Sequence, residues 1–315
     1  MVSKIGSPFH LCCISSLDGE DDHETFKTLK KHFSVFQVEC LIHVLAAASN
    51  RKHIFRLLQR GANTALHIRY FITDAYGPTL SDLQARRPFQ KFTVGTATRL
   101  AIETLNAIED LHTVGYVHGD ITPTSFVIGR DELENHIYIT NFAKVRKFRT
   151  KYAKIIPRRS YVPFTSSVRY ASRACHDRLE CARKDDLESW LFMSVEFYQI
   201  RILSWRLLTN LTEIRRRKDI FMSERGIPRV SCSLIADCCL KIIHVDINRQ
   251  NACCVTGANS IKIECVSLPE RLPSVVAEIL SLRYESMPNY EAIKESFKKH
   301  LDTRNYKVSV WFIIM

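Results

Sequence analysis

Long apolar runs are missing from this 315-residue sequence, and so is any CxxC pair. No stretch approaches the roughly 18 consecutive apolar residues of a membrane span, and the run from Val308 to Met315 is far too short for one. A secretory leader needs a basic start, an apolar core and a small-residue cleavage site. The first 25 residues hold nothing of the kind, and acids come early at Asp18, Glu20, Asp21 and Asp22. The cysteines number eleven, an odd set. Together these absences predict a reducing compartment and free thiols. They also predict a cytoplasmic location, with the nucleus as the alternative, and no membrane partner.

What is present is globular: 46% hydrophobic and 25% charged residues, in a chain long enough for one large two-lobed domain or two ordinary ones. The net charge is +12 and unevenly placed. Between Lys144 and Lys184 stand thirteen Lys and Arg against two acids, Asp177 and Glu180. Such a field attracts phosphopeptides, acidic proteins or nucleic acid, unless it is only a solvated basic face.

Periodicity gives a coarse map. Lys4 to Ile14 and Thr25 to Leu29 read as strands around an acidic turn, and Gln37 to Ala48 as a helix. Ile68 to Thr73 is a short apolar strand closed by Gly77-Pro78. Thr93 to Val114 carries the clearest helical face, with Ala97, Leu100, Ala101, Leu105, Ile108 and Leu111, and Gly115 suits its C-terminal cap. Two short strand-like runs follow, Phe126 to Ile128 and Ile137 to Ile139. Asp186 to Tyr198 reads as a buried helix and Tyr290 to Leu301 as an amphipathic one. Strands first and helices after predict a small mixed lobe and a larger helical one. Residues 231–265 hold six of the cysteines with poor helical period. Their spacings fit no zinc pattern, so the stretch reads as an insertion in a helix–helix connection.

The chemistry concentrates at Tyr116-Val117-His118-Gly119-Asp120-Ile121-Thr122-Pro123-Thr124-Ser125-Phe126. Downstream come Thr140-Asn141-Phe142-Ala143, Ser167-Val168-Arg169-Tyr170-Ala171-Ser172, Arg183-Lys184-Asp185-Asp186-Leu187-Glu188-Ser189-Trp190 and Met287-Pro288-Asn289-Tyr290. In this order they resemble the catalytic loop, metal motif, activation-segment end, following helix start and late Pro-Asp-Tyr motif of protein kinases in the casein kinase 1 and tau-tubulin kinase group. The resemblance covers about 4–302, with 231–265 excepted. It implies an α+β bilobal kinase fold with a β-rich N-lobe over about 1–76 and a helical C-lobe over about 77–303. Residues 304–315 are left as a tail.

The resemblance also places a nucleotide site. Ile5-Gly6-Ser7-Pro8 stands where the family has its glycine-rich loop, with two of three glycines lost. Glycine lets backbone N–H groups approach phosphate, and Pro8 removes a donor. Lys27 matches the phosphate-pairing lysine, Glu39 the helix glutamate that holds it, Ile72 the gatekeeper and Asp74 the hinge. Two surface charges are the plainer account of Lys27 and Glu39.

Phosphoryl transfer needs metal to neutralise phosphate, an aspartate to orient the acceptor hydroxyl, and positioned cations. Asp120 keeps the acceptor-orienting carboxylate. Thr122 stands in place of the loop lysine, Ser125 of the metal-binding asparagine, Asn141 of the metal-binding aspartate and Ala143 of the motif's glycine. Magnesium prefers anionic oxygen, so the metal site at Ser125 and Asn141 is degraded. The implied cofactors, ATP and magnesium, then lack a full set of ligands. His118 reads as a core histidine rather than a base, and Asp186 as the buried aspartate that holds the loop backbone. Arg158, Arg159 and Arg169 resemble the group's anion site for acidic or phosphorylated substrates. The function implied is that of a catalytically impaired pseudokinase binding acidic or phosphorylated protein, with no nucleic-acid partner. A weakly active Ser/Thr kinase is the alternative, and a domain that binds no nucleotide is a third class.

Overall fold

Residues His23 to Ala48 contain neither glycine nor proline, and Phe26, Leu29, Phe33 and Phe36 recur at spacings of three and four. That period is helical, and the segment forms a single 26-residue helix, α1 (His23–Ala48). The strand expected at Thr25 to Leu29 is therefore its first turns, and the helix expected at Gln37 is its second half. The computed structural model describes residues 9–16, 23–63, 68–130, 136–223 and 268–303. Ile5, Gly6 and Pro8, the 231–265 stretch and the 304–315 tail lie outside them.

Around α1 stands a small antiparallel sheet of β1 (Phe9–Ser16), β2 (Leu57–Asn63) and β3 (Ile68–Asp74), ordered β1-β3-β2. Leu11 pairs with Ile72 on one side of β3, and Gln59 pairs with Ile72 on the other. The chain then crosses to the helical lobe through residues 75–79, where the Gly77 amide donates to Ile128 O at 2.8 Å.

The second lobe is built on α3 (Val94–Val114), which follows the short α2 (Leu80–Ala85). Thr93 caps its start through a bond from the Thr96 amide, and Gly115 ends it at φ 103°, a left-handed cap suited to glycine. Ala97, Leu100, Ala101, Leu105, Ile108 and Leu111 are all fully buried, as the periodicity predicts. Across from them lies α5 (Arg183–Tyr198), buried along almost its whole length. Its Trp190 donates Nε1–H to Ala101 O and Thr104 Oγ1, and its ring meets Phe297 of α8 (Tyr290–Thr303) edge-on. The pairs β4 (Tyr116–Val117) with β7 (Arg146–Lys147) and β5 (Phe126–Ile128) with β6 (Ile137–Ile139) frame the loops of the site. Helices α4 (Arg173–His176), α6 (Leu211–Met222) and α7 (Leu272–Ser281) complete the lobe.

A second connection between the lobes is ionic. In the turn after α1, His53 Nδ1 lies 2.7 Å from Asp110 of α3, and the amides of Lys52 and His53 donate to the same carboxylate. Glu103 stands 3.6 Å from His53 Nε2. Burial pushes the His53 pKa down, but hydrogen bonds and charge from Asp110 and Glu103 outweigh it and raise the value to about 9. A raised histidine pKa stabilises the fold fully below the unfolded value near 6.5 and loses that contribution as pH climbs through about 9. Replacing His53 by Gln is therefore expected to cost on the order of 2 kcal/mol at pH 6 and much less at pH 10. Melting of the two chains across that range checks it. A difference that does not shrink with pH rules out the charged histidine.

Candidate active site

Helix α3 delivers the chain into β4 and then into the loop 118–125. Asp186, on the first turns of α5 and 2% exposed, holds that loop. Its carboxylate accepts from the His118 amide at 2.6 Å, the Gly119 amide at 2.9 Å and His112 Nε2 at 2.8 Å. His112 is fixed in turn by the Tyr290 hydroxyl at 2.6 Å from Nδ1. The role expected of Asp186 is thus met by geometry.

His118 is fully buried. Its Nε2 lies 3.0 Å from Thr140 O, and the Asp120 amide donates to Nδ1 at 3.3 Å. One nitrogen donates and the other accepts, as in a neutral ring, and the expected core role holds. Phe142 packs between His118 and His43 of α1, at ring distances of 6.1 and 5.7 Å. His43 Nδ1 bonds Phe55 O, and burial lowers its pKa. These three rings carry the packing from α1 down to the loop.

Asp120 is the centre of the site. Its Oδ1 accepts from the Ser167 amide at 2.7 Å, and its Oδ2 lies 2.6 Å from Lys144 Nζ. Lys144 also donates to Thr165 O. The Thr122 hydroxyl turns away, toward Thr124 Oγ1 at 2.7 Å and Ser125 Oγ at 3.0 Å. Ser125 donates to Asp120 O at 2.9 Å and is fully buried. Asn141 is exposed and sits at φ 65°, ψ 55°, a left-handed position that asparagine tolerates better than most residues. The donor set does not fit magnesium. Ser125 is turned into the loop, Asn141 offers a neutral amide, and the Asp120 carboxylate is already paired with an ammonium. Among the described residues no three His, Cys, Asp or Glu side chains gather into a metal cluster.

This frame meets its relatives at this point. No family model matches the chain. Among curated proteins it is similar to three from Caenorhabditis elegans, named as serine/threonine or casein kinase I proteins. With the serine/threonine-protein kinase spe-6 it is 38% identical over 128 residues, 41% of this chain and 34% of that one. With casein kinase I C03C10.2 it is 32% identical over 178 residues, 56% and 51% of the two chains. With serine/threonine-protein kinase ZK507.1 it is 27% identical over 198 residues, 62% and 59%. The chain is a divergent member of the protein kinase superfamily. It spans about a third to three fifths of the length of these relatives.

Within the bilobal kinase fold, the expected residues are only partly assembled. Lys27 and Glu39 lie on the same helix, twelve residues apart, so they are about 18 Å apart along its axis. The expected lysine on a strand facing a glutamate on a helix is not formed. Glu39 is half-buried, and desolvation raises its pKa to about 7. Ile72 and Asp74 fall at the end of β3, ahead of the crossing.

The three arginines are not gathered into one anion site. Arg159 forks onto Glu180, with Nε and a terminal nitrogen each 2.9 Å from a carboxylate oxygen, and its amide donates there too. Glu180 is 2% exposed and also pairs with Arg146. Arg169 instead lines a pocket of about 400 Å³ with Gln84, Thr122, Thr124, Glu196 and Arg206. There the buried Glu196 accepts from the Tyr170 hydroxyl at 2.5 Å and pairs with Arg206. Arg158 is exposed, 5.9 Å from the Tyr284 ring. Cys40 is a buried free thiol, and Cys175 and Cys181 lie beside each other with Cα atoms 6.3 Å apart. The residues between them turn back on themselves, with the Leu179 amide on Ala174 O.

Sequence reasoning missed Lys144, Ser167 and Glu180. It also missed Lys218 of α6, which is fully buried under the end of the activation segment and donates to Val168 O and Ala171 O. Desolvation lowers the Lys218 pKa to about 7.

Proposed function

We propose that this chain is a casein kinase 1-like kinase domain with impaired catalysis that binds acidic or phosphorylated protein. The observation that carries the reading is the fate of the two metal-facing positions. Ser125 Oγ is committed to Asp120 O and Thr122, and Asn141 brings no charge. Loss of a charged contact to a developing transition state commonly costs about 3 kcal/mol, or roughly a hundredfold in rate. The two losses act on one phosphate and are not multiplied. Partner binding is supported by the exposed cations of the activation segment, Lys147, Lys151, Lys154 and Arg158. A weakly active Ser/Thr kinase is the second reading, and the retained, well-held Asp120 favours it.

A thermal-shift titration with ATP separates the two. A competent site at a hundredfold excess of ligand over Kd is stabilised by about 2.7 kcal/mol. The expected result is a negligible difference between ATP alone and ATP with magnesium, and no phosphate transfer to an acidic peptide. A magnesium-dependent rise of several degrees, or transfer that Asp120→Ala abolishes, would establish the second reading.

A further inference from the structure

Lys144 is the third residue after Asn141 and opens the activation segment. Its Nζ reaches back 24 positions to Asp120 Oδ2 at 2.6 Å. An ammonium has three N–H donors. One goes to Asp120, one goes to Thr165 O, and one is left over. The Lys144 side chain is 35% exposed and that of Asp120 is 10% exposed. The carboxylate is held on its other oxygen by the Ser167 amide. Each oxygen has two lone pairs, so both can still accept a hydroxyl. The ion pair and the amide therefore fix Asp120 without exhausting it. At Thr122 the side chain is 6% exposed and tied to Thr124 and Ser125, and it carries no charge.

We propose that Lys144 supplies, from the activation segment, the cation that the catalytic loop lacks at Thr122, so that Asp120 stays positioned although the metal-facing positions are lost. The inference rests on the kinase-domain reading above and deepens it, because it makes Lys144 a positioning residue for Asp120. It also divides the substitutions into two kinds. Ser125, Asn141 and Ala143 are uncompensated, whereas Thr122 is compensated from elsewhere in the chain.

The test is rescue across the two positions, read in two ways. The first uses the full chain as it is and follows hydrogen exchange of the Ser167 amide, whose proton lies on Asp120. Lys144→Met is expected to speed exchange about tenfold, and the double variant Lys144→Met with Thr122→Lys to return it to within about twofold of the parent. Unchanged exchange in Lys144→Met overturns the positioning role. Faster exchange that Thr122→Lys does not restore overturns the equivalence of the two cations.

The second readout is phosphate transfer in a background carrying Ser125→Asn, Asn141→Asp and Ala143→Gly. Any transfer gained in that background should change little with Thr122→Lys. Lys144→Met should then lower kcat by about tenfold or more while KM for ATP moves less than about twofold, and Thr122→Lys should restore kcat. Transfer already present in the parent chain refutes the impaired-kinase reading instead.

Discussion

Asp186→Ala is expected to lower stability by about 3–5 kcal/mol, the range for removing one partner of a buried charged network. The reason is the number of donors left behind. The amides of His118 and Gly119 and the Nε2–H of His112 all lose their acceptor, and His118 and His112 are buried. Each stranded group carries its own desolvation penalty. At roughly 2–4 °C per kcal/mol for large domains, the melting temperature should fall by about 6–20 °C. Asp186→Asn should fall nearly as far, because its amide end presents a donor to donors. Thermal melts of the two variants decide the matter. A shift within about 2 °C would falsify the assignment of Asp186 as the anchor of the loop.

The second large effect separates two neighbouring arginines. Arg159→Glu is expected to cost about 2–4 kcal/mol, since it removes a forked partner from buried Glu180 and sets a like charge against it. The figure is discounted because the Arg159 side chain is itself 55% exposed. Arg158→Glu, one residue earlier, should stay within about 0.5 kcal/mol, because an exposed guanidinium near the Tyr284 ring has little to lose. Binding should show the opposite order. If the exposed cations hold an acidic or phosphorylated partner, Arg158→Glu with Lys154→Glu weakens a phosphopeptide without unfolding the chain. That loss should be larger at low salt, where charges are less screened. Equal melting temperatures for Arg158→Glu and Arg159→Glu would contradict the Glu180 clamp. Equal affinity for the phosphopeptide and its unphosphorylated twin would leave the segment as a solvated basic face.

That contrast shows where the sequence could be read and where it could not. Helix α3 was legible because its apolar residues repeat on one face and glycine follows, all within 23 residues. The loop around Asp120, the Asn141 motif and Asp186 were legible because each is a short contiguous string. The Lys27–Glu39 pair failed because Thr25 to Leu29 alternates briefly like a strand, while the longer spacing of Phe26, Leu29, Phe33 and Phe36 is helical. Arg159 was assigned to a partner although its fork meets Glu180, 21 residues away. Lys144 lies 24 residues from Asp120, and in the sequence it is one cation among many in a basic segment. Side chains that meet across such distances leave no period in the sequence, so their pairing is visible only once the loops are folded.

Gly119 sits where the loop turns under the activation segment. It occupies φ +75°, and a Cβ there would stand 3.3 Å from the carbonyl oxygen of Lys144. Any side chain at this position would meet both a strained backbone and the main chain of the residue that reaches Asp120. A side chain at 119 therefore presses on the main chain of the residue whose ammonium reaches Asp120, so the contact between the loop and the activation segment depends on a residue that has no Cβ.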